Sequence, residues 1–285
     1  MDIKASDIKT LREKTGAGMM DCKKALTEAN GDSAGAEKLL REWGMAGVEK
    51  RAGRATNEGK IFIKETPGKV SLVEIVCETD FVCRNKDFIA AGNKIVETAF
   101  AKDYAAGNAE LEGMVKDIAS IIKENIALKR VKLVTSGANE CLHTYVHGEG
   151  TLAVVVKFRA DKAEAFANAE VKAFVHDVAL HIAAFNPMFL DQSKISPAWI
   201  DEQKDIFKKQ VDLDEKVRSK PEKVIEGILA GKLKKLMAEV CLVDQGFVKE
   251  EKTPVNQALA AVAKAAGVKL EIVDFVYLKV GESAE

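Results

Sequence analysis

The strongest constraint on the fold of this 285-residue chain is a pattern that occurs twice, about 80 residues apart. In each copy, two short apolar runs typical of β-strands are separated by residues that favour a turn. The runs and turns are 61–64, 67–68 and 70–76 in the first copy, and 142–146, 148–150 and 152–158 in the second. The repeat predicts two β-hairpins of one plan, and therefore a core of two similar subdomains.

An amphipathic helix is predicted after each hairpin. Apolar residues recur at helical spacing in both copies: Phe88, Ala91, Ile95 and Ala99, then Val171, Val175, Val178, Ile182 and Phe185. The first copy continues with a helix over 111–122 and a strand over 131–134. In the second copy we expect the matching strand at 239–243, delayed by an insertion. The predicted fold class is therefore α+β with a duplicated core.

The N-terminal residues predict a separate small module. Apolar residues recur at helical spacing in three segments of the first 43 positions, with a cap at Ser6 and glycines at the joins. We expect three short helices that end near Gly44. About 45 residues make only a marginal core, so the module is predicted to be semi-independent. Glycines alternate with charged residues over 45–59, which is interpreted as a linker that is either irregular or partly helical.

The insertion predicts a pair of helices. Ser196-Pro197 is typical of a helix start, and Ser219 and Glu222 have the spacing of a capping box. The short connection between the helices predicts an antiparallel pair, for which we expect a protein partner such as a second copy of the chain. The predicted organisation is a three-helix module (1–44), a linker (45–59), a first core subdomain (60–139), a second core subdomain (140–186 and 237–285) and the helical hairpin (187–236).

Charge and cysteine usage exclude several classes. Lysine and arginine number 43 against 44 acidic residues, so the net charge is −1, and we expect no direct binding to nucleic acid or to an anionic membrane. The five cysteines are odd in number and include no C-x-x-C pair, which favours free thiols in a reducing compartment. No run of about 18 apolar residues and no N-terminal leader pattern is found, so a cytoplasmic protein is expected.

Motifs for catalysis are weak. Gly16 and Gly18 begin a dinucleotide fingerprint, but Asp21 replaces its third glycine, and residues 53–60 have the wrong spacing for a phosphate loop. His143 and His147 lie about 13 Å apart on a strand, too far to share one zinc ion. We expect no cofactor, no metal and no catalytic residue. A metal or thiol enzyme and a scaffold protein remain as alternatives.

One segment is typical of a binding loop. Residues 78–85 read ETDFVCRN and lie between a predicted strand and a predicted helix. Phe81 is either exposed at the tip of this connection or folded back onto the core. The adjacent Met19 and Met20 raise the same question, because neighbouring helical residues do not face the same core, and methionine packs readily on a partner's apolar surface.

Two long motifs resemble a known family. Residues 11–26 read LREKTGAGMMDCKKAL and residues 79–82 read TDFV, in the order and at the separation found in translation elongation factor Ts. The resemblance to this family continues in the segments 124–126, 147–148 and 231–235. The resemblance covers nearly the whole chain.

The resemblance implies a guanine nucleotide exchange factor for elongation factor Tu, in its GDP-bound and nucleotide-free forms, with no catalytic chemistry of its own. It also implies a ubiquitin-associated-like N-terminal module and a hairpin used in dimerisation. The implied contacts with the partner's magnesium site are Thr79, Asp80, Phe81 and Val82. The other implied partner contacts are Arg12, Met19, Met20 and His147.

Two departures from the family pattern bear on these implications. Gly246 stands where members often have proline, which predicts a looser turn after Gln245. The chain ends at Glu285, without the helical extension of some members, so a contact made by that extension is not expected.

Overall fold

The computed structural model describes residues 3–282, which form a mixed α+β structure of helices and small sheets. The chain divides into two compact units. The first unit comprises Met1–Val134, Gly148–Thr151 and Leu278–Glu285, and the second comprises Thr135–His147 and Leu152–Tyr277. In the described range, no helix is long and apolar enough to cross a membrane.

The first unit contains three N-terminal helices, a three-stranded sheet and the helices packed on it. Its elements are α1 (Ala5–Thr15), α2 (Met19–Glu28), α3 (Ser33–Arg51), β1 (Glu58–Thr66), β2 (Lys69–Cys77), α4 (Asp80–Cys83), α5 (Lys86–Ala101), α6 (Ala109–Ile122) and β3 (Ala127–Thr135). The strand order is β1-β2-β3. The hairpin, both helices and the third strand predicted for this region are confirmed.

The three N-terminal helices bury a small apolar core that includes Leu11, Cys22 and Leu26. Two details of the prediction are wrong. Ser6 lies inside α1, whose N-cap is Lys4. The third helix continues through Gly44 to Arg51 because it packs along α6: a Cβ on Gly44 would lie 2.8 Å from Cβ of Ser120. Gly44, where the helix was expected to end, instead allows two helices to approach closely.

Strand β2 lies in the middle of its sheet and is buried along almost its whole length. It pairs antiparallel with β1 from Glu58–Cys77 to Thr66–Lys69, and Gly68, with φ of 86°, closes the two-residue turn. The core of this unit packs side chains of β1, β2 and β3 against α5 and α6. These contacts hold the C-terminal end of β2, and with it the start of α4.

A buried ion pair lies within this unit. Glu74 is fully buried on β2, and one of its carboxylate oxygens accepts a hydrogen bond from Nε of Arg130 on β3. The Arg130 guanidinium also donates to the carbonyl oxygen of Lys279, at 2.6 Å. The pair compensates a carboxylate that would otherwise be isolated in the core.

The second unit has a second three-stranded sheet, a small two-stranded sheet and further helices. Its elements are β4 (Glu140–His147), β5 (Leu152–Ala160), α7 (Ala169–Phe185), α8 (Pro197–Leu213), α9 (Glu215–Arg218), α10 (Glu222–Val240), β6 (Gly246–Phe247), β7 (Glu250–Pro254), α11 (Val255–Ala266) and β8 (Leu270–Lys279), whose last two residues belong to the first unit. Short 3₁₀ turns occur in this unit at Ala163–Ala167, Gln192–Lys194 and Leu242–Asp244, and the one at Gly148–Gly150 belongs to the first unit.

The second hairpin is confirmed, with β4 and β5 paired antiparallel from Glu140–Arg159 to His147–Leu152. The strand predicted at 239–243 is wrong. Helix α10 continues to Val240, and a 3₁₀ turn follows, because Val240 and Cys241 pack in an apolar cluster at the base of the helical pair. The third strand of this sheet is β8, so the order is β4-β5-β8.

Helices α8 and α10 pack on each other where the start of α8 meets the end of α10. Trp199 and Ile200, near the start of α8, share a cluster with Leu236 and Met237, near the end of α10. Ser196 caps α8 by accepting a hydrogen bond from the Trp199 backbone N–H, as predicted. The capping box predicted at Ser219 is wrong: its hydroxyl points to the carbonyl oxygen of Lys216, and α10 begins after Pro221 without a side-chain cap.

A buried histidine supports the small sheet of the second unit. His181 on α7 is fully buried, and its Nε2 is 2.9 Å from Oε1 of Gln245. Burial lowers the pKa of His181. Gly246 follows Gln245 and approaches β7 closely, since a Cβ there would lie 2.3 Å from the Glu251 carbonyl oxygen. A side chain at this position requires the backbone to move.

Candidate functional site

Residues 80–82 form most of α4, a one-turn helix whose N-cap is Thr79 and which is separated from the end of β2 by two residues. Val82 is buried in the apolar core of the first unit, whereas Phe81 is 77% exposed. Asn85 ends the turn, and its side chain accepts a hydrogen bond at 2.8 Å from the backbone N–H of Asp87, at the start of α5. A buried residue thus anchors the turn while the adjacent aromatic ring projects into solvent.

Glu124 holds the start of this turn. Its carboxylate accepts hydrogen bonds from the Thr79 backbone N–H at 3.1 Å and from the Thr79 hydroxyl at 2.8 Å. Both bonds are partly buried, and a charged acceptor strengthens them. The orientation of Thr79 is therefore set by a residue 45 positions later in the chain.

Asn125 fixes Glu78, the residue before Thr79, in the same way. Its backbone N–H donates to Oε1 of Glu78 at 2.6 Å, which lowers the pKa of Glu78. The Asn125 side chain donates to the carbonyl oxygen of Arg54 at 2.7 Å, and the Arg54 guanidinium lies 3.3 Å from the Glu78 carboxylate. These bonds join the turn to the segment between α3 and β1.

Asp80 is exposed beside Phe81. Its carboxylate lies 3.4 Å from the guanidinium of Arg84, one helical turn later, and both side chains are largely solvent-accessible. Exposed pairs of this kind contribute little to stability. The Asp80 carboxylate is therefore accessible to a partner at small cost.

A second exposed apolar patch lies at the start of α2. Met19 is 46% exposed and Met20 is 76% exposed. Gly16, with φ of 69°, ends α1 and turns the chain toward them, and Arg12 is exposed on the last turn of α1. The side chains predicted as partner contacts in this part of the chain thus face solvent.

Residues 123–125 connect the two exposed patches. The Lys123 ammonium pairs with the carboxylate of Asp21, which follows Met20 on α2. Lys123 has φ of 67°, a left-handed conformation in which glycine is the usual residue at a helix end. The next two residues are Glu124 and Asn125, so three consecutive positions bind the start of α2 and the α4 turn.

His147 ends β4 in the second unit and is exposed. Its Nδ1 lies 3.0 Å from the hydroxyl of Tyr145, and in the same strand Nε2 of His143 lies 3.1 Å from Nδ1 of His176 on α7. Over residues 3–282, no group of three or more His, Cys, Asp or Glu side chains is arranged to hold a metal ion.

The five cysteines are free, as predicted. Cys77 and Cys83 flank the exposed turn, and their sulfur atoms are 3.6 Å apart. The hydrogen bond from the Cys77 thiol lowers the pKa of Cys83 to about 7, and the pKa of Cys77 is raised. No local pattern in the sequence signals this shift, because the partner that lowers the pKa of Cys83 is another thiol and not a nearby basic residue.

The comparisons with known proteins agree on one family. The profile described as Elongation factor TS matches residues 78–282. The protein named Elongation factor Ts from Treponema denticola is 46% identical over 281 residues, which cover 99% of each chain. Its namesake from Borrelia recurrentis is 40% identical over 284 residues, covering 99% of this chain and all of that protein. This chain belongs to the elongation factor Ts family. Its role is therefore that of an elongation factor in translation.

The supporting residues of the site were missed from the sequence. Glu124 and Asn125 belong to a segment that resembles the elongation factor Ts family, yet no local pattern connects them to Thr79 or Glu78. Lys123 gave one weak signal, since a helix of apolar spacing ends there without a glycine. Its left-handed backbone is visible only in the folded chain.

Proposed function

We propose that this chain is a guanine nucleotide exchange factor for elongation factor Tu, and that the α4 turn promotes GDP release by displacing the partner's magnesium ion. The observation that carries the proposal is the exposure of Phe81 on a turn that Thr79 and Val82 anchor. An apolar ring held in water on a rigid support gains free energy when a partner covers it. In an elongation factor, that partner is expected to be the GTPase.

The mechanism follows from linkage. A protein that binds the nucleotide-free form of a GTPase more tightly than the GDP-bound form must weaken GDP binding by the same factor. Phe81 would enter between elements of the partner, with Asp80 beside it and Thr79 and Val82 holding the loop. Loss of the magnesium ion leaves the diphosphate charge poorly compensated, so GDP dissociates faster.

One aromatic contact is insufficient for a large effect, so the rest of the interface is assigned to other exposed groups. Arg12, Met19 and Met20 would bind the nucleotide domain of the partner. His147, in the second unit, would add a contact from the core. Because residues 123–125 hold both α2 and the α4 turn, these two patches would engage the partner with little rearrangement.

The helical pair over 187–236 is proposed to mediate dimerisation. Ile206 on α8 and Val224 on α10 are exposed apolar residues of this pair, 40% and 44% accessible. Sedimentation velocity of the wild type and of Ile206→Glu tests the proposal. A concentration-dependent dimer that is lost in the variant supports it, and a monomer at all concentrations refutes it.

Release of a fluorescent GDP analogue from elongation factor Tu, followed by stopped flow, tests the exchange activity. Substoichiometric amounts of this chain should accelerate release repeatedly. A scaffold would bind the GTPase, as measured by calorimetry, without changing the rate. In a parallel series with excess EDTA, magnesium is already removed, so the acceleration by this chain should shrink. An undiminished acceleration would refute displacement of magnesium as the mechanism.

A further inference from the structure

We propose that Cys77 and Cys83 are a site of oxidation, at which a hydroperoxide converts two thiols into a disulfide across the base of the α4 turn. Cys77 is the last residue of β2 and Cys83 is the last residue of α4, so the pair encloses the whole segment 78–82. No other cysteine belongs to this segment.

The geometry favours reaction between these two thiols. Their sulfur atoms are 3.6 Å apart, and a disulfide requires about 2.05 Å, so a closing movement of roughly 1.5 Å is needed. The Cys77 thiol also lies 3.2 Å from the Thr79 carbonyl oxygen, and that of Cys83 lies 3.2 Å from the Gly59 carbonyl oxygen. These contacts hold the two sulfur atoms beside the first and last residues of the segment 78–82.

The two thiols differ in access and in acidity. Cys77 is fully buried, whereas Cys83 is partly exposed. The hydrogen bond from Cys77 lowers the pKa of Cys83, which favours the thiolate of Cys83 over that of Cys77. The thiolate is the nucleophile in thiol oxidation. Cys83 is therefore the attacking residue, and Cys77 is the resolving residue.

The chemistry balances with hydrogen peroxide as the oxidant. The Cys83 thiolate attacks one peroxide oxygen, the O–O bond breaks, and Cys83 becomes a sulfenic acid while hydroxide leaves and takes a proton from solvent. Cys77 sulfur then attacks the sulfenic sulfur, the S–O bond breaks, and a second water leaves with the Cys77 proton. Each sulfur loses one electron, and the peroxide is reduced to two waters.

The disulfide would act on the exchange loop. Cys83 closes the single turn that carries Asp80 and Phe81, so moving its sulfur toward β2 changes the direction of that turn. This consequence rests on the proposed exchange function, but formation of the disulfide does not. Oxidation should lower exchange by about tenfold or more, because a misplacement of about 1 Å at a positioned site can cost about 100-fold in rate.

Mass spectrometry of the full chain tests the modification directly. Trypsin cleaves after Lys69 and Arg84, so both cysteines fall in the peptide 70–84. The protein is treated with a small excess of hydrogen peroxide, and remaining thiols are blocked with iodoacetamide. We expect this peptide to carry no label and to lack two hydrogen atoms, while the peptide with Cys141 stays labelled.

Two variants control the assignment. In Cys83→Ala, the peptide should keep its single label on Cys77 after peroxide treatment. Cys141→Ala removes another partly exposed thiol and should leave disulfide formation unchanged. Two labels on the wild-type peptide, added oxygen atoms on Cys83, or oxidation of Cys141 before the pair would each overturn the proposal.

The functional consequence is measured with the same preparations. GDP release from elongation factor Tu is compared for each protein before and after peroxide, and after reduction with dithiothreitol. We expect reversible loss in the wild type and none in Cys83→Ala, relative to its own untreated sample. A disulfide without any change in rate would refute the regulatory role. If the reduced wild type fails to accelerate release, the exchange function is wrong, although the disulfide result stands.

Discussion

Replacement of Phe81 by alanine should weaken the interaction with the partner without destabilising the fold. The side chain is 77% exposed, so its removal should change the free energy of unfolding by less than about 0.5 kcal/mol. Full burial of a phenylalanine contributes about 1.5 to 3 kcal/mol. Scaled by the exposed fraction, the loss in the complex is roughly 1.2 to 2.3 kcal/mol, equivalent to a decrease of about 7- to 45-fold in stimulated GDP release.

The assay is stopped-flow release of a fluorescent GDP analogue from elongation factor Tu, with urea unfolding of each variant as the stability check. Phe81→Leu should retain part of the activity, because leucine preserves some of the apolar area. Leu213→Ala is a control for the release assay, since Leu213 is an 84% exposed apolar residue of the helical pair, which is proposed for dimerisation and not for contact with the GTPase. A wild-type rate for Phe81→Ala would remove the ring from the mechanism, and a destabilised fold would show that its exposure is not as described.

Three further predictions test the supporting structure. Glu124→Ala removes both acceptor oxygens that bind Thr79 and should weaken stimulated GDP release on the order of tenfold. Glu112→Ala, an exposed position on the preceding helix α6, should not, and equal effects in the release assay would refute the positioning role. Arg130→Met leaves a buried carboxylate uncompensated and should cost about 3 to 5 kcal/mol in urea unfolding, whereas a loss below about 1 kcal/mol would contradict the pairing. Burial lowers the folded-state pKa of His181, so its contribution to stability is complete above the unfolded pKa of about 6.5 and is lost as pH falls below it. His181→Leu should therefore flatten the decrease of the urea midpoint between pH 7 and 5.5, and an unchanged profile would show that another group causes it.

Local pattern predicted the hairpins of the core because alternating apolar residues and turn residues act over a few positions. The same reasoning failed where a long-range contact decides the outcome. Gly44 predicts the end of a helix, yet α3 continues through it. Because glycine has no side chain, Ser120 of α6 can pack closely against α3 at this position. Residues 239–243 have the apolar character of a strand, but the position they would occupy in the sheet belongs to β8.

The candidate site shows the same division. Its exposed residues were identified from the sequence, because the motifs around Met19 and Phe81 are long and resemble a known family. The residues that hold them were not, since the bonds from Glu124 to Thr79 and from Lys123 to Asp21 join positions far apart in the chain. A hydrogen bond between distant side chains leaves no periodic signal in a sequence.

The three residues 123–125 also constrain where the chain tolerates changes in length. Inserting one residue among them would rotate either the Lys123 ammonium away from Asp21 or the Glu124 carboxylate away from Thr79. One exposed patch would then be displaced whenever the other was kept in place. Adding residues to the connection between α8 and α10 would break no bond of this kind. Insertions and deletions among natural or engineered variants should therefore avoid the end of α6 and accumulate near the tip of the helical pair.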